Sequence, residues 1–145
     1  MSLLAFSANP EAPSQPLAPA PDGVYRPGVC NIGPAEIARR RRSAIVGTVA
    51  TLVVAAVIFA LGLPHPVRLV IGLLAAGAIT GWLQVILRFC VGFAKLGVFN
   101  FGELGPMESV ADRAAHRADL RRAGLMVGAS LLGGLLIGVV AVLLP

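Results

Sequence analysis

Charged side chains are scarce in this sequence of 145 residues: Asp, Glu, Lys and Arg together make up 13%, whereas hydrophobic residues make up 57%. An ordinary soluble domain holds about 25% charged and about 45–50% apolar residues. The mean hydropathy of +0.83 excludes an intrinsically disordered chain. A chain this short also has too much surface to bury so many apolar side chains. We therefore expect an integral membrane protein.

Histidine and cysteine, which often carry metal or nucleophilic chemistry, number only two each. Neither His65 nor His116 lies inside a long apolar run, so the usual axial ligand of an intramembrane haem is missing. The sequence has no phosphate-binding glycine loop and no G-x-S-x-G nucleophile elbow. The middle of each apolar run also lacks Asp, Glu, Lys and His, on which ion-coupled transport depends. We therefore predict no catalytic residue, no cofactor, no metal site and no enzymatic activity.

Three apolar runs are long enough to cross a bilayer as helices, for which about 20 residues are needed. The runs cover residues 43–63, 67–91 and 124–144. They are continuous and do not alternate, which favours helices over barrel strands. Pro64 and Pro66 predict a tight turn at 64–66, so that the first two spans form a helical hairpin. The predicted fold is an all-α integral membrane protein with three transmembrane helices.

The segments outside these runs differ in composition. Residues 1–29 are rich in Pro and Ala and predict a flexible tail, with a docking strand for a neighbouring protein as the alternative. In the juxtamembrane segment 30–42, a helix is expected to begin near Pro34 and to continue into the first span, with Asn31 or Gly33 as its cap.

The linker between the second and third spans is predicted in two parts. Glycines and phenylalanines predict a loop at the membrane interface over residues 92–107, and a pore-lining re-entrant loop is the alternative. Residues 108–123 predict a polar helix that leads into the third span. Ser109 is the expected cap of this helix, with Asp112 at its third position.

Cationic residues flank the apolar runs and indicate an orientation. Eleven of the 12 Lys and Arg residues fall on one side of the predicted topology, and only Arg68 falls on the other. The positive-inside rule then places the N-terminus in the cytoplasm and the C-terminus outside, in a multi-pass protein of the bacterial cytoplasmic (inner) membrane. His65 and His116 lie on opposite sides and cannot share a metal ion. The arginines expected to fix topology and contact anionic lipid headgroups are Arg39, Arg40, Arg41, Arg42, Arg68, Arg88, Arg121 and Arg122.

Small residues recur at four-residue spacing within the predicted spans, and such residues let helix backbones approach closely in lipid. They are Ala56, Ala60, Gly77, Gly81, Gly124, Gly128, Ser130, Gly134 and Gly138. Three helices can satisfy only some of these surfaces internally, which predicts binding to other integral membrane subunits or self-association. Gln84, in the inner half of the second span, is expected to bond a neighbouring helix.

The leading functional hypothesis is a non-catalytic accessory or scaffold subunit of a larger bacterial membrane complex, for example a respiratory or photosynthetic one, that binds no nucleic acid. One alternative is a homo-oligomeric channel or small transporter. Another is a thiol-based redox or metal protein that uses Cys30 and Cys90, both expected near the cytoplasmic interface. The simpler interpretation of these cysteines is two small apolar residues in a reducing compartment.

Overall fold

The computed structural model describes residues 24–145. Residues 1–23 of the predicted tail therefore lie outside the described residues. The described chain is mostly helical. Its elements, in order, are α1 (Pro34–Ala60), a 3₁₀ turn (His65–Arg68), α2 (Leu69–Ile86), α3 (Val91–Leu96), β1 (Val98–Phe99), β2 (Glu108–Ser109) and α4 (Arg113–Leu143). Helices α1, α2 and α4 are long and apolar enough to cross a membrane, in agreement with the predicted helical membrane class.

Helix α2 is the central element of the bundle, with α1 on one side and α4 on another. Helices α1 and α4 are not in broad contact with each other. They approach near one end, where Ile58 of α1, Ile71 of α2 and Ala141 of α4 form a small apolar cluster. The three long helices are therefore arranged around α2, and each outer helix has a large exposed apolar surface.

The contact between α2 and α4 depends on glycine. A Cβ atom added at Gly72 would lie 2.5 Å from the Gly134 carbonyl oxygen and 2.8 Å from the Gly138 Cα. No side chain fits there, so the two backbones touch, as close packing in lipid requires. The contact between α1 and α2 is looser: a Cβ at Gly81 would lie 3.0 Å from the Ala44 Cβ.

The predicted turn at 64–66 is part of a longer reversal. Helix α1 ends at Ala60, three residues before the predicted end of the span. The amide of Leu63 donates to the Ile58 carbonyl while Gly62 has a left-handed φ of 60°, which is a Schellman ending. Pro66 then lies inside the 3₁₀ turn that leads into α2.

Helix α2 is shorter than predicted, because it ends at Ile86 and not near Val91. Arg88 adopts a left-handed φ of 51°, and the amide of Phe89 donates to the Gln84 carbonyl. This is again a Schellman ending, but with arginine where glycine is usual. The turn places Phe89, which is fully buried, against α4, and apolar burial offsets the cost of the unusual backbone.

The linker is more ordered than predicted. Residues 92–107 contain most of α3 and the strand β1, which pairs antiparallel with β2. Ser109 belongs to β2 and does not cap α4. Asp112 is the cap instead, since its carboxylate accepts from the amides of Ala114 and Ala115 at 3.1 Å each. The predicted polar helix therefore begins at Arg113 and continues without interruption into the third span.

Candidate functional site: the arginine-rich head

A compact head lies beyond the end of α2 and contains residues 24–33, 87–112 and the polar first turns of α4, 113–122. It exists because α1 and α4 extend past the point where α2 ends. An apolar cluster packs the segment that follows α2 against α4. That cluster consists of Leu87, Phe89, Val91, Ala94, Ala123 and Met126.

Asn31 joins the N-terminal part of the head to the segment after α2. Its side-chain amide donates to the Cys90 carbonyl at 3.0 Å, and its side-chain oxygen accepts from the Cys90 amide at 2.6 Å. Asn31 is fully buried, and its backbone carbonyl accepts from the Asn100 amide. Asn31 therefore does not cap α1. Gly33 is the cap residue. The backbone of Phe101 packs against it, and a Cβ atom added at Gly33 would lie 2.7 Å from the Phe101 Cα.

Residues 24–33, which we call the clasp, bind the first turns of α4 through Asp119. The Tyr25 hydroxyl donates to Asp119 Oδ2 at 2.9 Å, and the Gly28 amide donates to Oδ1 at 2.6 Å. Arg122 Nη1 donates to the Gly28 carbonyl at 3.0 Å. Asp119 is fully buried. Buried polar groups need such partners, and the clasp supplies them.

The aromatic ring of Tyr25 also holds the clasp in place. It stacks on Phe99 of β1, with ring centroids 4.4 Å apart and planes 10° from parallel. Burial, followed by the hydrogen bond to Asp119, raises the pKa of Tyr25 well above its usual value of 10.0. The hydroxyl therefore stays protonated and acts as a donor at neutral pH.

Both cysteines are free and buried. The Cys30 thiol donates to the Val24 carbonyl at 3.0 Å inside the clasp. Burial raises the pKa of Cys30 above its usual value, so the thiol remains protonated and weakly nucleophilic at neutral pH. Across the part of the chain that the structure describes, no three His, Cys, Asp or Glu residues form a group that could hold a metal ion. Asn31, the neighbour of Cys30, bonds the Cys90 backbone, and a thiol pair of Cys30 and Cys90 stays a prediction.

The arginine cluster of α1 is partly neutralised by Glu36, beside the head. Glu36 is buried and forms ion pairs with Arg39 at 3.0 Å and Arg40 at 3.7 Å. The Arg40 guanidinium also lies 5.7 Å from the ring centroid of Phe93. Arg41 and Arg42 are exposed, as are Arg88 and Arg121. Glu36 lies in the first turn of α1, and the sequence does not reveal its pairing with two arginines.

Two arginines that were expected to contact headgroups are buried. The guanidinium of Arg122 lies 5.5 Å from the Phe89 ring centroid, inside the head. Arg68 lies at the opposite end of the bundle, where its Nη1 donates to the carbonyls of Leu144 at 2.5 Å and Ala141 at 3.4 Å. Their headgroup role remains a prediction, and the structure shows that both side chains bind the protein.

The small residues fall into two groups. Gly81, Ser130, Gly134 and Gly138 are packed inside the bundle or against a neighbouring helix. The others face outward: Ala56 and Ala60 are exposed, and a Cβ added at Gly77, Gly124 or Gly128 would meet nothing within 4 Å. Gly72, which makes the tightest backbone contact, was missed, although its spacing from Ala76 follows the same four-residue pattern.

Comparison with protein-family models, with curated proteins and with solved structures finds no match for this chain. The function must therefore be inferred from the geometry alone.

Proposed function

We propose that this chain is a non-catalytic accessory or scaffold subunit of a larger membrane protein complex in the bacterial inner membrane. The observation that carries the proposal is the outward-facing group of small residues. Ala56 and Ala60 on α1 are exposed, and a Cβ added at Gly124 or Gly128 on α4 would meet nothing within 4 Å in the described chain. We propose that helices of other integral membrane subunits pack against them.

The physical reason lies in the cost of glycine. Glycine in a helix interior is less favourable than alanine by about 1 kcal/mol, because it loses more backbone freedom. Gly72 offsets that cost through its contact with α4. Gly124 and Gly128 receive no such compensation within this chain. A partner helix at close range would provide it, since association in lipid depends on van der Waals contact between small surfaces.

The head supports a scaffold role in a second way. Its polar groups bond one another, as in the pairs Asn31–Cys90 and Tyr25–Asp119, so the head holds one shape and offers a fixed surface. Eleven of the 12 cationic residues belong to that end of the bundle. We propose that it faces the cytoplasm, where such residues are enriched, and that Arg41 and Arg42 contact anionic headgroups.

The test begins with extraction of the protein from its native membrane in a mild detergent. We expect a particle of defined composition in which every co-migrating chain can be identified by mass spectrometry. A particle that holds only this chain would contradict the proposal.

A matched pair of variants makes the test specific. Ala56→Leu adds bulk to the exposed surface of α1, where the fold itself tolerates it, and we expect partner chains to be lost from the particle. Ala129→Leu adds the same bulk at an exposed position of α4 that is not among the small-residue positions, and the particle should be retained.

A further inference from the structure

Gln84 differs from the other polar side chains of the apolar helices. Thr48, Thr51, Thr80 and Ser130 each donate to a carbonyl one turn earlier, and Trp82 Nε1 donates to Thr48 Oγ1 at 3.0 Å. Among the described residues, the Gln84 carboxamide has no hydrogen-bond partner. It lies in the last turns of α2 and is partly exposed. A carboxamide on a helix face with apolar neighbours such as Leu73 is favoured when a group outside the chain bonds it.

Gln84 lies on the one side of α2 that neither α1 nor α4 covers. Leu73, Gly77, Thr80 and Gln84 recur at the spacing of one helix face. Leu73 is 71% exposed, and Gly77 borders open space. The sides of α2 that contact α1 and α4 carry other residues, such as Ala78 and Gly72. We call the four residues 73, 77, 80 and 84 the outer face of α2.

We propose that the outer face of α2 pairs with the same face of a second copy of this chain, and that the two Gln84 carboxamides bond each other. When two copies are inserted with the same orientation, their α2 helices are parallel, and Gln84 of one copy lies at the same depth in the membrane as Gln84 of the other. A carboxamide both donates and accepts, so it is complementary to itself across a two-fold axis. Gly77, two turns away, lets the two backbones approach.

The second copy is favoured over an unrelated helix by this match in depth and chemistry. A foreign helix would need a polar group at the level of Gln84, whereas a second copy supplies one automatically. This dimer is independent of the proposed partner surfaces, which lie on α1 and α4. Either inference can therefore fail alone.

Cysteine cross-linking in native membranes tests the geometry. Gly77→Cys places a thiol on the outer face, and Val49→Cys places one on the exposed surface of α1 at a similar depth, since Gly47 lies against Ala78. Cys30 and Cys90 are buried and should not react. Under a membrane-permeant oxidant, we expect a disulfide-linked dimer of two copies for Gly77→Cys and none for Val49→Cys or the unmodified chain. No dimer, or a link to a different chain, would overturn the proposal.

Substitution of Gln84 tests the chemistry. Gln84→Leu keeps the size of the side chain but removes its hydrogen bonds, and should weaken dimer association about 3- to 20-fold, the range measured for hydrogen bonds between membrane helices. Gln84→Asn keeps the carboxamide and should retain most of the association. Equal dimerisation of all three proteins would overturn the role of Gln84. Because the side chain is unpaired within the protomer, helix content by circular dichroism should be the same in each.

The two proposals give different outcomes. Loss of all partner chains from the extracted particle, with the Gly77→Cys dimer retained, contradicts the accessory-subunit proposal and supports the dimer. Retention of partner chains without the Gly77→Cys dimer supports the accessory-subunit proposal and contradicts the dimer.

Discussion

The two ends of the helix bundle are closed in different ways. At the turn between α1 and α2, Arg68 and His65 bind the C-terminal carbonyls of α4 directly, through contacts with Leu144, Ala141 and Val142. At the other end, the head fills the gap with a separate apolar cluster and a network of buried polar groups. The difference follows from helix length, because α2 begins beside the end of α4, whereas at the other end α4 extends beyond the end of α2 by its polar first turns.

The comparison indicates how each end should respond to damage. The Arg68 end depends on a few bonds to carbonyls that water or headgroups can also satisfy, since they belong to a helix terminus. The head depends on groups that water does not reach, such as Asp119. Losing a partner should therefore cost more in the head than at the Arg68 end.

The largest effect is expected for Asp119→Ala. This change leaves the Tyr25 hydroxyl and the Gly28 amide without their acceptor, and should destabilise the fold by about 3–5 kcal/mol. The measurement is the free energy of unfolding in mixed detergent micelles. Hydrogen exchange at the Gly28 amide, which loses its acceptor, should also become faster. Tyr25→Phe removes only one of these bonds and should cost about 1 kcal/mol. Equal losses for the two variants would show that Asp119 is not the centre of the clasp.

A smaller effect is expected for Arg68→Ala, about 2 kcal/mol, because it removes a cation from the C-terminus of α4 and from the face of Phe59, 4.8 Å away. Hydrogen exchange should increase in the last turn of α4 and remain unchanged in the head. Arg68→Lys keeps the charge but not the paired geometry, and should be intermediate. Faster exchange throughout the head would contradict the independence of the two ends.

The sequence predicted the spans well because apolar length is a local property. It predicted the hairpin from Pro64 and Pro66, and the start of α1 from Pro34, since proline restricts its own backbone. The small residues of α4 at 130, 134 and 138 were recognised by spacing, and the structure places each of them inside the bundle.

The head could not be predicted in the same way. The end of α2 at Ile86 depends on Arg88 in a left-handed conformation, which no local signal marks, and on the burial of Phe89 against a helix more than 30 residues later in the sequence. The Asp119–Tyr25 bond joins residues that are 94 positions apart. Such pairings are a consequence of the tertiary structure, and a polar helix with one Asp looks the same whether that Asp is buried or solvated.

The cap of α4 offers a sharper comparison between sequence and structure. Asp112→Ala removes the acceptor of two backbone amides and should cost about 1 kcal/mol. Ser109→Ala should change the free energy of unfolding by less than about 0.5 kcal/mol, because Ser109 is an exposed strand residue. Both values come from the same detergent unfolding assay. If Ser109→Ala lowered the free energy of unfolding more than Asp112→Ala, Ser109 would be the cap of α4, as the sequence predicts.

The smallest effect is expected at alkaline pH, where the groups that titrate, Tyr25 and Cys30, both lie in the clasp. Burial, then the bond to Asp119, raises the pKa of Tyr25 above 10.0, and burial raises the pKa of Cys30 above 9.0. Below those values both groups are neutral in the folded and the unfolded chain, so their contribution to stability is fully present. As the pH rises through 9 and then 10, the unfolded chain loses protons that the folded chain keeps, and stability must fall.

Tyr25 is the one tyrosine of the sequence, so tyrosinate absorbance reports on the clasp alone. Its midpoint should lie above 10 and move toward 10 in Asp119→Ala. A midpoint near 10 in the unmodified protein would mean that the clasp does not hold Tyr25 against Asp119.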